Sequence, residues 1–222
     1  MLTLHTVDGG RLKSSGSDCS QMPDGLVWID LHDPTPEEER AVERMLGIEV
    51  PTKDEMAEIE ESSRLYQEDG ALVITAVLVQ AAGRTQPART QVTFVLTRRC
   101  LVTVRYADVM PFRAFDDKAA KSTDANLSSE TVFGSLLESV LERIADLLEA
   151  TEAEIGEVST AIFYGDEDVR KADERSTVLR HLLIRLGRKN RMLAIIRESL
   201  LSLNRLVLFA RPGAPWIQDA AL

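Results

Sequence analysis

Two hydrophobic rhythms divide the chain near Asn126. Before it, apolar runs are short, β-branched and broken by turn residues; after it, apolar residues recur every three or four positions. Val27-Trp28-Ile29-Asp30-Leu31 predicts a buried strand. Thr35-Pro36-Glu37-Glu38 then predicts a helix start: Thr35 caps, Pro36 suits the first turn, Glu38 completes a capping box, and the acids face the positive end of the dipole. Gly47 is placed to end that helix. A second capping box, Thr52-Lys53-Asp54-Glu55, follows Pro51 and predicts a shorter helix through about Ile59. Arg64 to Glu68, a turn at Asp69-Gly70, Ala71 to Val79, Gln91 to Leu96 and Leu101 to Arg105 complete a strand-rich region. Their short polar connections predict antiparallel neighbours, because a parallel return needs a crossover of about a dozen residues or more.

The segment 107–127 predicts a short helix and a linker. From Ser129, the positions Val132, Leu136, Val140, Ile144, Leu147, Leu148, Ile155, Val158 and Ile162 predict one face of a long helix. A turn at Gly165 leads to a second helix from about Asp173 to Phe209. Leu179, Leu183, Leu186, Leu193, Ile196, Leu200, Leu203 and Val207 lie in line on it, and Pro212 and Pro215 stop it. The expected fold is α/β: a mixed-sheet α/β/α layer domain at 1–126, followed by a long antiparallel helical hairpin at 127–222. Residues 127–168 hold eleven acids and one base, whereas 175–211 hold nine bases and one acid. Opposite charge favours pairing of the two helices, although each exposed ion pair adds only about 0–1 kcal/mol. Arms of such length imply a partner along their exposed side.

The 222 residues carry a net charge of -10, which argues against general attraction to nucleic acid or anionic lipid. Cys19 and Cys100 stand alone in sequence and are expected to be reduced thiols of a cytosolic protein. The polar start predicts no secretory leader, and no window reaches the roughly 18 uncharged apolar residues of a membrane span. His32-Asp33, with Asp30 nearby, hints at a metal hydrolase, but His5 and His181 are the sole other histidines, so exposed polar residues ending a strand are the better account. Arg185 to Arg191 lacks the aromatic interleaving of a nucleic-acid site and follows an acidic helix that neutralises it. No phosphate loop, paired-cysteine motif or nucleophile elbow occurs, and no enzymatic activity is expected. Asp54, in the first turn of a short helix beside Glu55, can serve the dipole or be offered to a hard cation such as Mg²⁺. A single carboxylate does not hold such an ion tightly.

Trp28-Ile29-Asp30-Leu31-His32-Asp33-Pro34-Thr35, Gly47-Ile48, Pro51-Thr52, Asp54-Glu55 and Glu58 to Arg64 resemble the cytoplasmic domain of CorA-family divalent-cation transporters. The later strands and the hairpin follow the order of that family. The resemblance implies a homopentamer that conducts Mg²⁺, sometimes Co²⁺ or Ni²⁺, with a related branch that handles Zn²⁺. It further implies a regulatory cation site between subunits at Asp54, with Glu55 a weaker candidate and the partner acid on a stalk helix. The sequence ends before the stalk, the membrane helices and the Gly-Met-Asn loop. The expectation is therefore a portion of a longer transporter at the cytoplasmic face of the cell membrane. Such a portion would bind Mg²⁺ weakly, need no organic cofactor, touch the membrane only through segments outside it, and bind no nucleic acid. The alternatives are the cytoplasmic domain of a Zn²⁺ transporter of the same superfamily and a freestanding helical-hairpin interaction protein.

Overall fold

The structure is a computed structural model that describes residues 1–16, 22–58, 60, 63–68, 70–80, 87–119, 127–163 and 172–213. Cys19, Ile59, Asp69, Asn126, Gly165 and Pro215, on which several sequence expectations fall, lie outside the described residues.

Among the described residues seven strands form one sheet: β1 (Leu2–Asp8), β2 (Arg11–Ser15), β3 (Leu26–His32), β4 (Leu65–Glu68), β5 (Ala71–Gln80), β6 (Ala88–Leu96) and β7 (Leu101–Arg105). Their spatial order is β2-β1-β3-β7-β6-β5-β4. β3 and β7 pair in parallel and every other neighbour is antiparallel, so the sheet is mixed as expected. The helices are α1 (Pro36–Leu46), α2 (Lys53–Ala57), α3 (Met110–Ala119), α4 (Ser129–Phe163) and α5 (Ala172–Gly213). Alternating strand residues feed two cores. Trp28, Leu72, Phe94 and Leu101 join Phe112, Leu136 and Leu206 in the core under α3, α4 and α5. Ile29, Leu31, Val73, Val95 and Val102 join Val42 and Met56 under α1 and α2.

Both capping boxes form. Thr35 accepts from the Glu38 backbone while Glu38 accepts from the Thr35 backbone, and Thr52 and Glu55 do the same at α2. Gly47 ends α1 in the left-handed region at φ 68°. Other boundaries differ from expectation. α2 stops at Ala57, two residues short of Ile59. β6 starts at Ala88 instead of Gln91, because β5 pairs with it over nine residues. α5 runs through Pro212 to Gly213, so this proline occupies the last turn and costs one backbone donor there. The β1–β2 hairpin was not anticipated. Gly9 and Gly10, at φ 59° and 75°, supply the positive dihedrals of a two-residue turn between strands.

The long helices pack as an antiparallel pair. Glu154 meets Lys189 and Glu157 meets Arg185, so residues further along α4 face residues earlier on α5. The face expected to be buried on α5 is largely exposed: Leu179, Leu183, Leu186, Leu193, Leu200 and Val207 are open, and on α4 so are Leu148 and Ile162. The buried stripe of α5 runs through Ile195, Ile196, Ser199, Leu203, Leu206 and Ala210. Both stripes obey helical spacing, and the sheet selects the second. Ser202 Oγ accepts the backbone N–H of Val77 at 2.9 Å, tying α5 to the stretch of β5 that β4 does not pair with.

Gly25 sits at φ +71°, where an added Cβ would stand 2.7 Å from the Val7 carbonyl oxygen. Val7 also donates to the Gly25 carbonyl at 2.8 Å, so neither backbone can yield freely. Gly25→Ala is expected to lose about 1–3 kcal/mol of unfolding free energy. Urea denaturation with an unchanged slope would display this as a lower midpoint.

Candidate functional site

α2 is a five-residue helix held down by Met56, which is 2% exposed in the core shared with α1. Its two first-turn acids have different fates. The Glu55 carboxylate is occupied by the cap, accepting from the Thr52 backbone N–H at 2.8 Å and the Thr52 hydroxyl at 2.9 Å. Asp54 is exposed, and among the described residues its carboxylate has no hydrogen bond or ion pair. Lys53 does not offset it directly, because its Nζ lies 5.1 Å from the centre of the Tyr106 ring. The Tyr106 hydroxyl donates to Glu39 Oε1 at 2.9 Å, and burial followed by that contact pushes the phenol above its usual range. α2 therefore leaves one carboxylate turned to solvent. Among the described residues, no group of three or more His, Cys, Asp or Glu side chains is gathered as a metal cage.

The strongest polar constellation lies inside the protein. Asp30, read from sequence as part of a polar strand end, is 5% exposed and paired with Arg105, which is 6% exposed. One Arg105 Nη donates to Asp30 Oδ2 at 2.6 Å, and Nε reaches Oδ1 and Oδ2 at 3.1 and 3.2 Å. Thr103 Oγ1 donates to Asp30 Oδ1 at 2.8 Å and accepts from Trp28 Nε1 at 2.9 Å. The guanidinium lies 5.0 Å from the Phe112 ring centre. Asp30 and Arg105 are 75 positions apart and meet because β3 and β7 are parallel neighbours. His32 and Asp33 belong to the strand end, where Asp33 takes φ 47° and its N–H donates to the Arg105 carbonyl. Among the described residues they are not gathered with His5 into a metal-holding cluster.

His5 stacks on Trp28 with ring centres 3.9 Å apart. Its Nδ1 lies 3.1 Å from Ser14 Oγ and 3.5 Å from Asp116 Oδ1, while Nε2 is buried with no hydrogen-bond partner among the described residues. Burial drives the imidazole down to about 4, against a partial pull upward from Asp30. Burial, and then the negative charge of Asp30, raise Asp116 to about 6, with Arg105 opposing. At neutral pH this is an uncharged imidazole beside a carboxylate, not an ion pair. The basic stretch of α5 is partly neutralised by α4 as expected, through Arg185–Glu157 at 2.8 Å and Lys189–Glu154 at 2.5 Å. Cys100 is a buried free thiol, its pKa pushed up to about 11 by burial.

A sequence model described as CorA-like Mg2+ transporter protein matches residues 23–221. The magnesium transport protein CorA of Wolinella succinogenes is 26% identical over 170 residues, covering 73% of this chain and 53% of that protein. The chain spans about half the length of the curated relatives it matches, 53% and 56% for two of them. The soluble domain of CorA from Methanocaldococcus jannaschii shares the fold, with TM-score 0.58 at 13% identity over 99% of this chain and 95% of that one. The cytoplasmic domain of ZntB from Vibrio parahaemolyticus does too, with TM-score 0.55 at 13% identity over 98% of both chains. Among the described residues no helix is long and apolar enough to cross a membrane.

Arg105→Met leaves Asp30 as a buried, unpaired carboxylate and is expected to cost about 3–5 kcal/mol. Asp30→Leu combined with Arg105→Met should recover much of that loss, as a double-mutant cycle in urea would measure. The His5 and Asp116 contributions run in opposite directions with pH. A lowered His5 stabilises fully above its ordinary 6.5 and loses that contribution as pH falls towards about 4. A raised Asp116 stabilises fully below its ordinary 3.8 and loses that contribution as pH rises through about 6. Asp116→Asn removes the second slope, so the variant should gain stability over the native chain at pH 7 and decline more steeply between pH 6.5 and 4. Parallel pH profiles for the two proteins would refute this account.

Proposed function

The chain belongs to the CorA-like Mg2+ transporter family, and from that premise we propose that it is the cytoplasmic, metal-sensing part of a divalent-cation transporter. The family match across residues 23–221 carries this reading. Asp54 supports it locally, as an exposed carboxylate on a helix whose neighbouring acid is already spent on the cap. Mg²⁺ takes one or two carboxylates and keeps several waters, which suits an acid shared with a second subunit rather than an enclosed cage.

The physics is a population shift. A chain of net charge -10 repels its copies, and a cation held between Asp54 and an acid of a neighbouring subunit offsets that repulsion where the two meet. Mg²⁺ then favours the closed arrangement in proportion to its preference for that arrangement over the open one. Loss of the ion lets the subunits separate and the pore open. Glu55 contributes through the cap that orients Asp54. The cargo is proposed as Mg²⁺ because of the family; the ZntB likeness is one of fold, and a Zn²⁺ cargo would be revealed by competing-cation flux.

Asp54→Ala in the membrane-inserted protein should raise the Mg²⁺ concentration that protects it from proteolysis by at least about fivefold, the lower end of ordinary coupling between sites. An unchanged midpoint would remove Asp54 from the ligand set.

A further inference from the structure

The turns from β4 to β5 and from β6 to β7 lie side by side at one end of the sheet, because Leu72 pairs with Leu96. Leu46 at the end of α1, Ile48 just after it, Gln67 of β4, and Thr97, Arg98 and Arg99 of the second turn line a cavity of about 430 Å³ there. That volume falls within the range of small-molecule sites. The second turn is braced by one hydroxyl. Thr97 Oγ1 accepts from the backbone N–H groups of Arg99 and Cys100, each at 3.1 Å, and donates to the Cys100 carbonyl at 2.8 Å. Two consecutive arginines are therefore carried on a fixed backbone. Arg99 is exposed, and among the described residues its guanidinium has no hydrogen bond or ion pair. The walls differ in character. Ile48 is 8% exposed and belongs to the core under α1 and α2, so one wall is hydrocarbon, whereas the arginines make another cationic. Glu49 and Glu68, next in sequence to two of these residues, do not line the cavity. Their charge acts on Tyr66 instead, where it adds to burial in raising the phenol.

We propose that this cavity binds a small organic phosphate, with the phosphate on Arg98 and Arg99 and the apolar body against Leu46 and Ile48. A phosphate monoester carries a charge of about -1.5 to -2 at pH 7, which suits two adjacent guanidinium groups better than a single carboxylate does. A bare inorganic anion leaves the hydrocarbon wall in water. An uncharged apolar molecule takes the guanidinium groups out of water without a partner, which costs free energy. A molecule with both parts satisfies both walls, and Gln67 offers an amide donor and acceptor to a polar edge of its body. The inference is independent of the cation-sensing reading, since Asp54 does not line the cavity and no metal takes part.

The test is isothermal titration of the 222-residue chain in buffer stripped of divalent cations, with AMP, phenyl phosphate, adenosine and inorganic phosphate as probes. AMP or phenyl phosphate is expected to saturate a single site with a Kd below about 1 mM, and adenosine and inorganic phosphate to bind at least about tenfold more weakly. Arg99→Gln should weaken the organic phosphate at least about tenfold, with the urea midpoint unchanged because the side chain is exposed. Arg197→Gln, at an exposed position of α5, should leave binding unaltered. Inorganic phosphate binding as tightly as either ester would mean that the hydrocarbon wall takes no part, and overturns the proposal. Failure of both esters to saturate by about 10 mM overturns it too. So does binding indifferent to Arg99→Gln, or equally sensitive to Arg197→Gln.

Discussion

The buried pair of Asp30 and Arg105 is the constraint on which the rest of the sheet depends. β3 and β7 are the one parallel junction in the sheet, and the hairpin of β1 and β2 reaches the other strands only through it. Backbone hydrogen bonds alone tolerate a slip of register, and a slip of one residue would move every side chain of β3 to the opposite core. Arg105 has its carboxylate partner, and Thr103 its acceptor, in one register only. A buried ion pair is weak evidence for net stability, because desolvation consumes much of the attraction. Its value here is in selecting one pairing among several of similar hydrophobic content.

That selection sets up the outer features. With β3 fixed, Trp28 faces α3, α4 and α5, and Ile29 faces α1 and α2, so the layers on the two sides of the sheet are assigned together. α1 and α2 follow β3 directly, and α2 carries its exposed acid on a rim anchored by Met56. The acid is thereby held by the fold rather than by a loop, which suits the role proposed for it above.

Local signals were legible and long-range ones were not. Both capping boxes, the Gly47 stop, five of the seven strands and the antiparallel hairpin follow from residues adjacent in sequence, where hydrogen bonding within a turn decides the outcome. Asp30 with Arg105 was missed because a polar residue within an apolar run shows its partner only after the strand order is known. The β1–β2 hairpin was missed although Asp8-Gly9-Gly10-Arg11 is a strong turn signal between alternating runs. The buried side of α5 was misjudged because two apolar stripes share that helix. Periodicity shows that a stripe exists, and only the position of the sheet says which stripe it covers. Asp54 was legible as an exposed acid of a first turn.

The bond from Val77 to Ser202 has a consequence for biosynthesis. Beyond Ile74, no strand among the described residues pairs with the outer side of β5, and α5, made more than a hundred residues later, shields that open margin. For more than a hundred residues of translation a long, almost wholly apolar strand stands with unpaired amides at its border, a template on which another nascent chain can add. The hydroxyl of one late serine thus helps to close a window of aggregation risk that opens when Gln80 is made.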